Sequence, residues 1–114
     1  MHELSVTSYL VDAVDKQARE LGAKRVVTIN VIVGERSGIV DDSLRFYLEM
    51  LSPGTLVEGA ELVVQRTSMR FYCAACDEDY HPEGANFECP GCGAIGTLVD
   101  DGSDLLIESL EIET

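Results

Sequence analysis

Basic residues are scarce in this chain: its 114 residues hold 8 Lys and Arg against 21 Asp and Glu, a formal charge of −13 at neutral pH. Proteins that grip a phosphate backbone need a cationic patch that releases counterions. Here the cations are scattered, and the densest group, Arg19 with Lys24-Arg25, lies near a predicted helix end, where positive charge complements the dipole. Nucleic acid is therefore not an expected partner. Tryptophan is absent, and histidine occurs only as His2 and His81. With the cysteines otherwise committed (below), a nucleophilic Ser or Thr would have to draw on one of two imidazoles, so the expectation is a protein that is not an enzyme. No apolar run approaches the ~18 residues of a membrane span. Residues 1–20 lack a basic segment followed by an apolar one, so the expected setting is cytoplasmic and reducing.

The four cysteines stand in two knuckles, Cys73-Ala-Ala-Cys76 and Cys89-Pro-Gly-Cys92, with spacing C-x2-C-x12-C-x2-C. Two residues between paired thiols let a tight turn aim both sulfurs at one ion, and the intervening stretch brings the second pair round to close a tetrahedron. Zinc is the default occupant; two disulfides would need an oxidising compartment. Gly91 and Gly93 are expected to supply the positive φ such turns use, with Asp77 in the matching place after Cys76. A lobe of about thirty residues has too little core to stand alone and can be held by its metal. Four thiolates round one divalent ion would deepen the negative charge further. The paired acids Asp41-Asp42 and Glu78-Asp79 read as caps and solvated loop, and His81 as a loop residue beside a sulfur shell that is already complete.

Val6, Leu10, Ala13, Val14, Ala18 and Leu21 recur at three- and four-residue intervals, which predicts an amphipathic helix over about 3–21, stopped by Gly22. Residues 25–33 predict a strand with Val27, Ile29, Val31 and Val33 on one face, and Gly34-Glu35-Arg36-Ser37 leads into a turn. Asp41, Asp42 and Ser43 offer N-caps to a second helix with Leu44, Tyr47, Leu48 and Leu51 as its apolar stripe. A second strand over about 61–72 runs into the first knuckle, and a third, over about 105–113, follows the second knuckle after a return hinge at Asp100–Ser103. The predicted class is α+β: a small three-stranded sheet with two helices, plus an inserted zinc-ribbon-like lobe. The expected division is residues 1–70, completed by 101–114, against 71–100, and strands two and three, if paired as a hairpin, would carry the lobe at their tip.

Met1-His2-Glu3 places an α-amino group, amides, an imidazole and a carboxylate within three residues. A metal bound by the Met1 amine, the deprotonated His2 amide and the His2 Nδ1 closes one five- and one six-membered ring, and such nitrogen ligation suits Ni(II) or Cu(II). The bulk of His2 disfavours removal of Met1, and the helix starts at once. A cation at the positive end of a helix needs a carboxylate or amide deprotonation to offset the dipole.

Met1-His2-Glu3 opening a helix, Gly34-Glu35-Arg36-Ser37 after the first strand, and Cys73-x2-Cys76 with Cys89-Pro-x-Cys92-Gly93 together resemble the HypA family over essentially the whole chain. The resemblance implies a nickel metallochaperone for [NiFe] hydrogenase maturation. It implies nickel at Met1, His2 and Glu3, structural zinc at Cys73, Cys76, Cys89 and Cys92, cooperation with a HypB-like GTPase, delivery to the hydrogenase large subunit, and in some members service to urease maturation. Asp41 or Asp42 matches an acidic residue found near the nickel in some members. Whether two copies form a homodimer, by strand exchange or otherwise, is left open. Two further readings of the cysteines remain, a rubredoxin-like electron-transfer protein with iron in place of zinc and a zinc-ribbon interaction module.

Overall fold

The computed structural model describes residues 3–114; Met1 and His2 lie outside the described residues. Its elements run α1 (Glu3–Glu20), β1 (Arg25–Gly34), α2 (Asp41–Leu51), β2 (Glu61–Thr67), β3 (Arg70–Cys73), β4 (Glu78–Tyr80), β5 (Thr97–Asp100) and β6 (Leu105–Glu113). In α1 most of the predicted stripe goes inward, with Leu10, Val14 and Ala18 buried and joined by Val11 and Thr7, Val6 and Ala13 half-buried, and Leu21 exposed just past the helix end. Gly22, at φ 72°, ends the helix. Its N–H reaches Arg19 O and that of Ala23 reaches Ala18 O, the paired bonds of a Schellman motif that satisfy the last carbonyls.

β1 is the centre of a sheet ordered β2-β1-β6, parallel to β2 and antiparallel to β6. The last strand thus pairs with the first, not with the strand that enters the knuckles as the hairpin reading had it. β1 is the most apolar strand and gains most from being flanked on both edges, with α2 as the crossover to its parallel neighbour. A register shift between Val26 and Thr28 breaks its alternation: Val26 is buried with Ile29, Val31 and Val33, while Val27, predicted on that face, is only half-buried.

α2 buries Leu44 and Leu48 and half-buries Tyr47 and Leu51. Its cap is Val40, in extended backbone without a side-chain bond, so Asp41, Asp42 and Ser43 fall inside the helix instead of capping it. The two carboxylates lie in the first turn, where they complement the dipole. Arg66 of β2 fastens this entry, donating to Ile39 O at 2.6 Å and to the Asp41 carboxylate.

The predicted second strand is two. Pairing with β1 ends at Thr67 opposite Gly34, the chain crosses Ser68-Met69, and β3 then joins a separate sheet ordered β4-β3-β5. One core, containing Leu10, Val14, Ile29, Val31, Leu44 and Val57, lies between the helices and the first sheet. A second gathers Cys73, Tyr80 and Cys89 with Phe71 and Cys76. The radius of gyration, 17.5 Å, exceeds the roughly 13 Å of a single globule this long, and the molecule extends 53 × 27 × 16 Å.

Candidate metal centre

Cys73 closes β3, Cys76 follows after two intervening alanines, and Asp77 takes φ 54° to turn the chain into β4. In the second knuckle Gly93 takes φ 78°, its N–H bonds Cys89 O, and Cys89 N–H bonds Ala94 O. Gly91 does not adopt the predicted positive φ. A Cβ there would lie 3.4 Å from Cys76 Sγ and 3.8 Å from Cys89 Sγ, ordinary contact distances, so neither φ nor space demands glycine at this position.

These turns bring all four thiols together, every sulfur within 4.8 Å of the others, with Cys73–Cys92 at 3.5 Å and Cys76–Cys89 at 4.0 Å. A tetrahedral ion with metal–sulfur bonds of about 2.3 Å needs sulfurs about 3.8 Å apart, so the set fits such an ion. The thiols are electrostatically unequal. A bond from the Cys76 backbone N–H draws Cys73 down to about 7, while hydrogen bonding with Cys92 and Cys73 pushes Cys76 up to about 12. Four adjacent thiols cannot all lose protons unless a cation replaces them.

Aromatic rings back the cluster. Phe71 stacks on Tyr80 and on Phe87, each at 5.6 Å between centroids. The Tyr80 hydroxyl donates to Phe87 O at 2.7 Å and accepts from Gly96 N–H at 2.9 Å. At Gly96 the strands approach so closely that a Cβ would lie 2.3 Å from Tyr72 O. His81 takes no place among the sulfurs. Its Nδ1 lies 3.0 Å from Met69 O and 2.8 Å from Ser68 Oγ, and since the carbonyl only accepts, this nitrogen carries the proton.

The turn Gly34-Glu35-Arg36-Ser37 is where the two cores are tied. Gly34 N–H bonds Asp104 O, Glu35 N–H bonds Thr67 O and Arg36 N–H bonds Gly102 O, so one loop holds both the outgoing and the returning strand. A Cβ at Gly34 would lie 2.1 Å from Gly102 O. The predicted return hinge is laced by its own side chains: Asp100 Oδ1 accepts from Gly102 N–H, and Asp101 Oδ1 from the N–H and hydroxyl of Ser103. The Ser103 bonds hold the Asp101 carboxyl below its ordinary range.

Of the predicted nickel set, Met1 and His2 lie outside the described residues and Glu3 opens α1. Buried Thr7 donates its hydroxyl to Glu3 O at 2.6 Å, fixing that turn. Asp41 is engaged by Arg66 and Asp42 is exposed; among the described residues no hydrogen bond or ion pair joins either to Glu3. Sequence reasoning missed Arg66 and Ser68, whose partners are 25 and 13 residues away, beyond the reach of a local pattern.

Residues 1–112 match the family described as hydrogenase/urease nickel incorporation, metallochaperone, hypA. The hydrogenase maturation factor HypA of Caldanaerobacter subterraneus is 40% identical over 114 residues, covering 99% of this chain and 100% of that one. That of Geobacter metallireducens is 37% identical over 113 residues, again with 99% and 100% covered. The solution structure of the Ni metallochaperone HypA from Helicobacter pylori shares the fold at TM-score 0.69 and 24% identity, covering 99% of this chain and 98% of that one. A second solution structure, of HypA protein, shares it at TM-score 0.72 and 24% identity, with 98% of this chain and 96% of that one covered. The chain thus belongs to the HypA family of nickel metallochaperones for hydrogenase maturation and is a maturation factor, not an enzyme.

Proposed function

We propose that this chain carries Ni(II) at Met1, His2 and Glu3, surrenders it to the large subunit of a [NiFe] hydrogenase, and keeps a structural Zn²⁺ between Cys73, Cys76, Cys89 and Cys92. The observation that carries this reading is the nitrogen-rich start Met1-His2-Glu3, included in a family match that runs from residue 1 to residue 112. The gathered sulfurs support the zinc assignment by their spacing. Zinc there contributes folding energy to the lobe and performs no reaction.

Nickel is cargo. An amine, a deprotonated amide and an imidazole at a chain end hold it in an open set of ligands, which a recipient's donors can replace one at a time without freeing the ion. Each nitrogen must shed its proton, so nickel affinity falls as pH falls and protons are released on loading. Asp41, already engaged by Arg66, and its neighbour Asp42 serve as surrounding charge, not as ligands. A HypB-like GTPase and, where present, urease maturation proteins are the proposed co-workers, and the cytoplasm the proposed setting. Among the described residues no helix is long and apolar enough to cross a membrane.

Isothermal titration with nickel, on protein with a native untagged start, tests the assignment. His2→Ala should abolish stoichiometric nickel binding while zinc, measured by elemental analysis, stays at one per chain. Nickel retained by that variant would sink the terminal site, and iron in place of zinc would overturn the metal assignment of the cysteines.

A further inference from the structure

β6 is an edge strand, paired on its β1 side. Its nine residues contain no proline, and its free side turns backbone N–H and C=O groups outward, where a further strand can pair. Between that edge and the overhanging α1 runs a trough of two cavities, about 520 and 200 Å³, which share Ile107. The walls of the larger cavity are mainly apolar, with Tyr9 76% exposed in it; Leu21, 58% exposed, lines the smaller, and Leu106, 57% exposed, stands at the rim of the edge on the sheet face it shares with Ile32. Apolar surface gathered beside an unpaired edge marks an interaction site.

Charge selects the occupant. Along the trough and the adjoining outer face of α1, the acidic side chains are Asp12, Glu20, Asp104 and Glu108, and Lys16 is the basic one. Arg19 and Arg25 nearby are engaged by Asp15 and Glu113. A second copy laying its own β6 there would bring like carboxylates together between chains of charge −13.

We propose that the β6 edge and the trough under α1 dock an extended segment of another protein in which apolar and basic side chains alternate, added to the sheet as a fourth strand. Its main chain bonds β6, its apolar side chains enter the trough against Tyr9 and Ile107, and its cations meet Asp104 and Glu108. The trough begins at Ser5 and Val6 in the first turns of α1, so the docked segment lies beside the start of that helix. Docking itself does not depend on the nickel assignment.

A labelled peptide of alternating valine and lysine, titrated by fluorescence anisotropy against the full metal-loaded chain, tests the proposal. Saturable binding is expected, weakened about tenfold or more when prolines replace two valines at unchanged charge, and lost when glutamate replaces lysine. Tyr9→Lys and Leu106→Lys, at exposed positions, should each weaken it about tenfold with metal content and circular dichroism unchanged, and Phe46→Lys on α2 should not. Equal binding of the proline-interrupted peptide, or binding indifferent to both substitutions, in the trough and on the β6 edge, overturns the proposal. So does a dimer in sedimentation that Leu106→Lys dissociates.

Discussion

The two sheets of this molecule are held by different physics. The sheet β2-β1-β6 lies against two helices over a core of thirteen buried apolar residues. The lobe around the sheet β4-β3-β5 gathers three buried residues, and two of them, Cys73 and Cys89, are candidate metal ligands. Burial worth roughly 25 cal/mol per Å² of apolar surface stabilises the first without help, whereas the second has almost no such surface. The proposed metal coordination takes the place of a core there. On the proposed reading, one unit folds on its own core whatever metal it carries and the other depends on its metal for its fold, and the turn Gly34–Ser37 of the first bonds both connections to the second.

The most disruptive way to probe that division is to remove one sulfur. If the site holds zinc as proposed, coordination of the kind found in zinc-finger peptides would contribute about 10–16 kcal/mol of binding free energy that is also folding free energy. Cys76→Ser should release the metal and unfold β3, β4 and β5, while amide protection at Leu10, Val14, Ile29 and Leu48 persists. Loss of protection in both sheets would mean that they fold as one unit and that the contrast drawn from their cores is wrong.

The reciprocal experiment truncates the apolar core. Leu44 is fully buried on α2, and Leu44→Ala should cost about 2–5 kcal/mol, read from urea unfolding of the first sheet. The metal should stay bound through that transition, since none of its ligands lies in the region that melts. Metal release coincident with the core transition would show the lobe to depend on its neighbour.

How far each unit was legible in the sequence follows from the same difference. The helices and β1 announce themselves by apolar spacing, and the sulfur cluster by a spacing that is local and chemically specific. Pairing partners are non-local: a period of two marks Leu105–Glu113 as a strand but does not say that β1, about eighty residues earlier, receives it. The break at Ser68-Met69 was hidden because nothing there is a strong breaker; the bond from Glu35 N–H to Thr67 O is where pairing with β1 ends before the chain enters the other sheet. Asp41 looked like a cap because its type suits one, while the Arg66 that claims it lies on another element. The role of Gly34-Glu35-Arg36-Ser37 was legible as a turn and not as a clamp, since its partners at Gly102 and Asp104 return only after the whole lobe.

That clamp is the next place to press. Gly34→Ala places a methyl where Gly102 O stands, and overpacking against backbone costs about 1–3 kcal/mol or forces the return segment away. The expected result is a lower midpoint for the first sheet, with faster exchange at the Arg36 amide and metal content unchanged. Wild-type exchange at Arg36 would show that the loop does not hold the lobe's connection.

The smallest effect lies wholly within the first unit and bears on its electrostatics. Asp15 accepts from Arg19 Nε at 2.9 Å and from Leu56 N–H at 2.8 Å, and these bonds, Arg19's first, lower its pKa in the folded protein. A carboxyl whose folded pKa lies below its unfolded value, about 3.9, stabilises the fold above that pH and ceases to do so as pH falls through the folded value. Asp15→Asn keeps an oxygen for Leu56 and removes the charge, so its cost at pH 7 should be a few tenths to about 1 kcal/mol after solvent screening. The gap between the urea midpoints of the two proteins should narrow below about pH 4 and be absent from any measure of metal retention. A gap of equal size at pH 7 and in acid would mean that the hydrogen-bond geometry at Leu56, and not the charge facing Arg19, fastens α1 to the approach to β2.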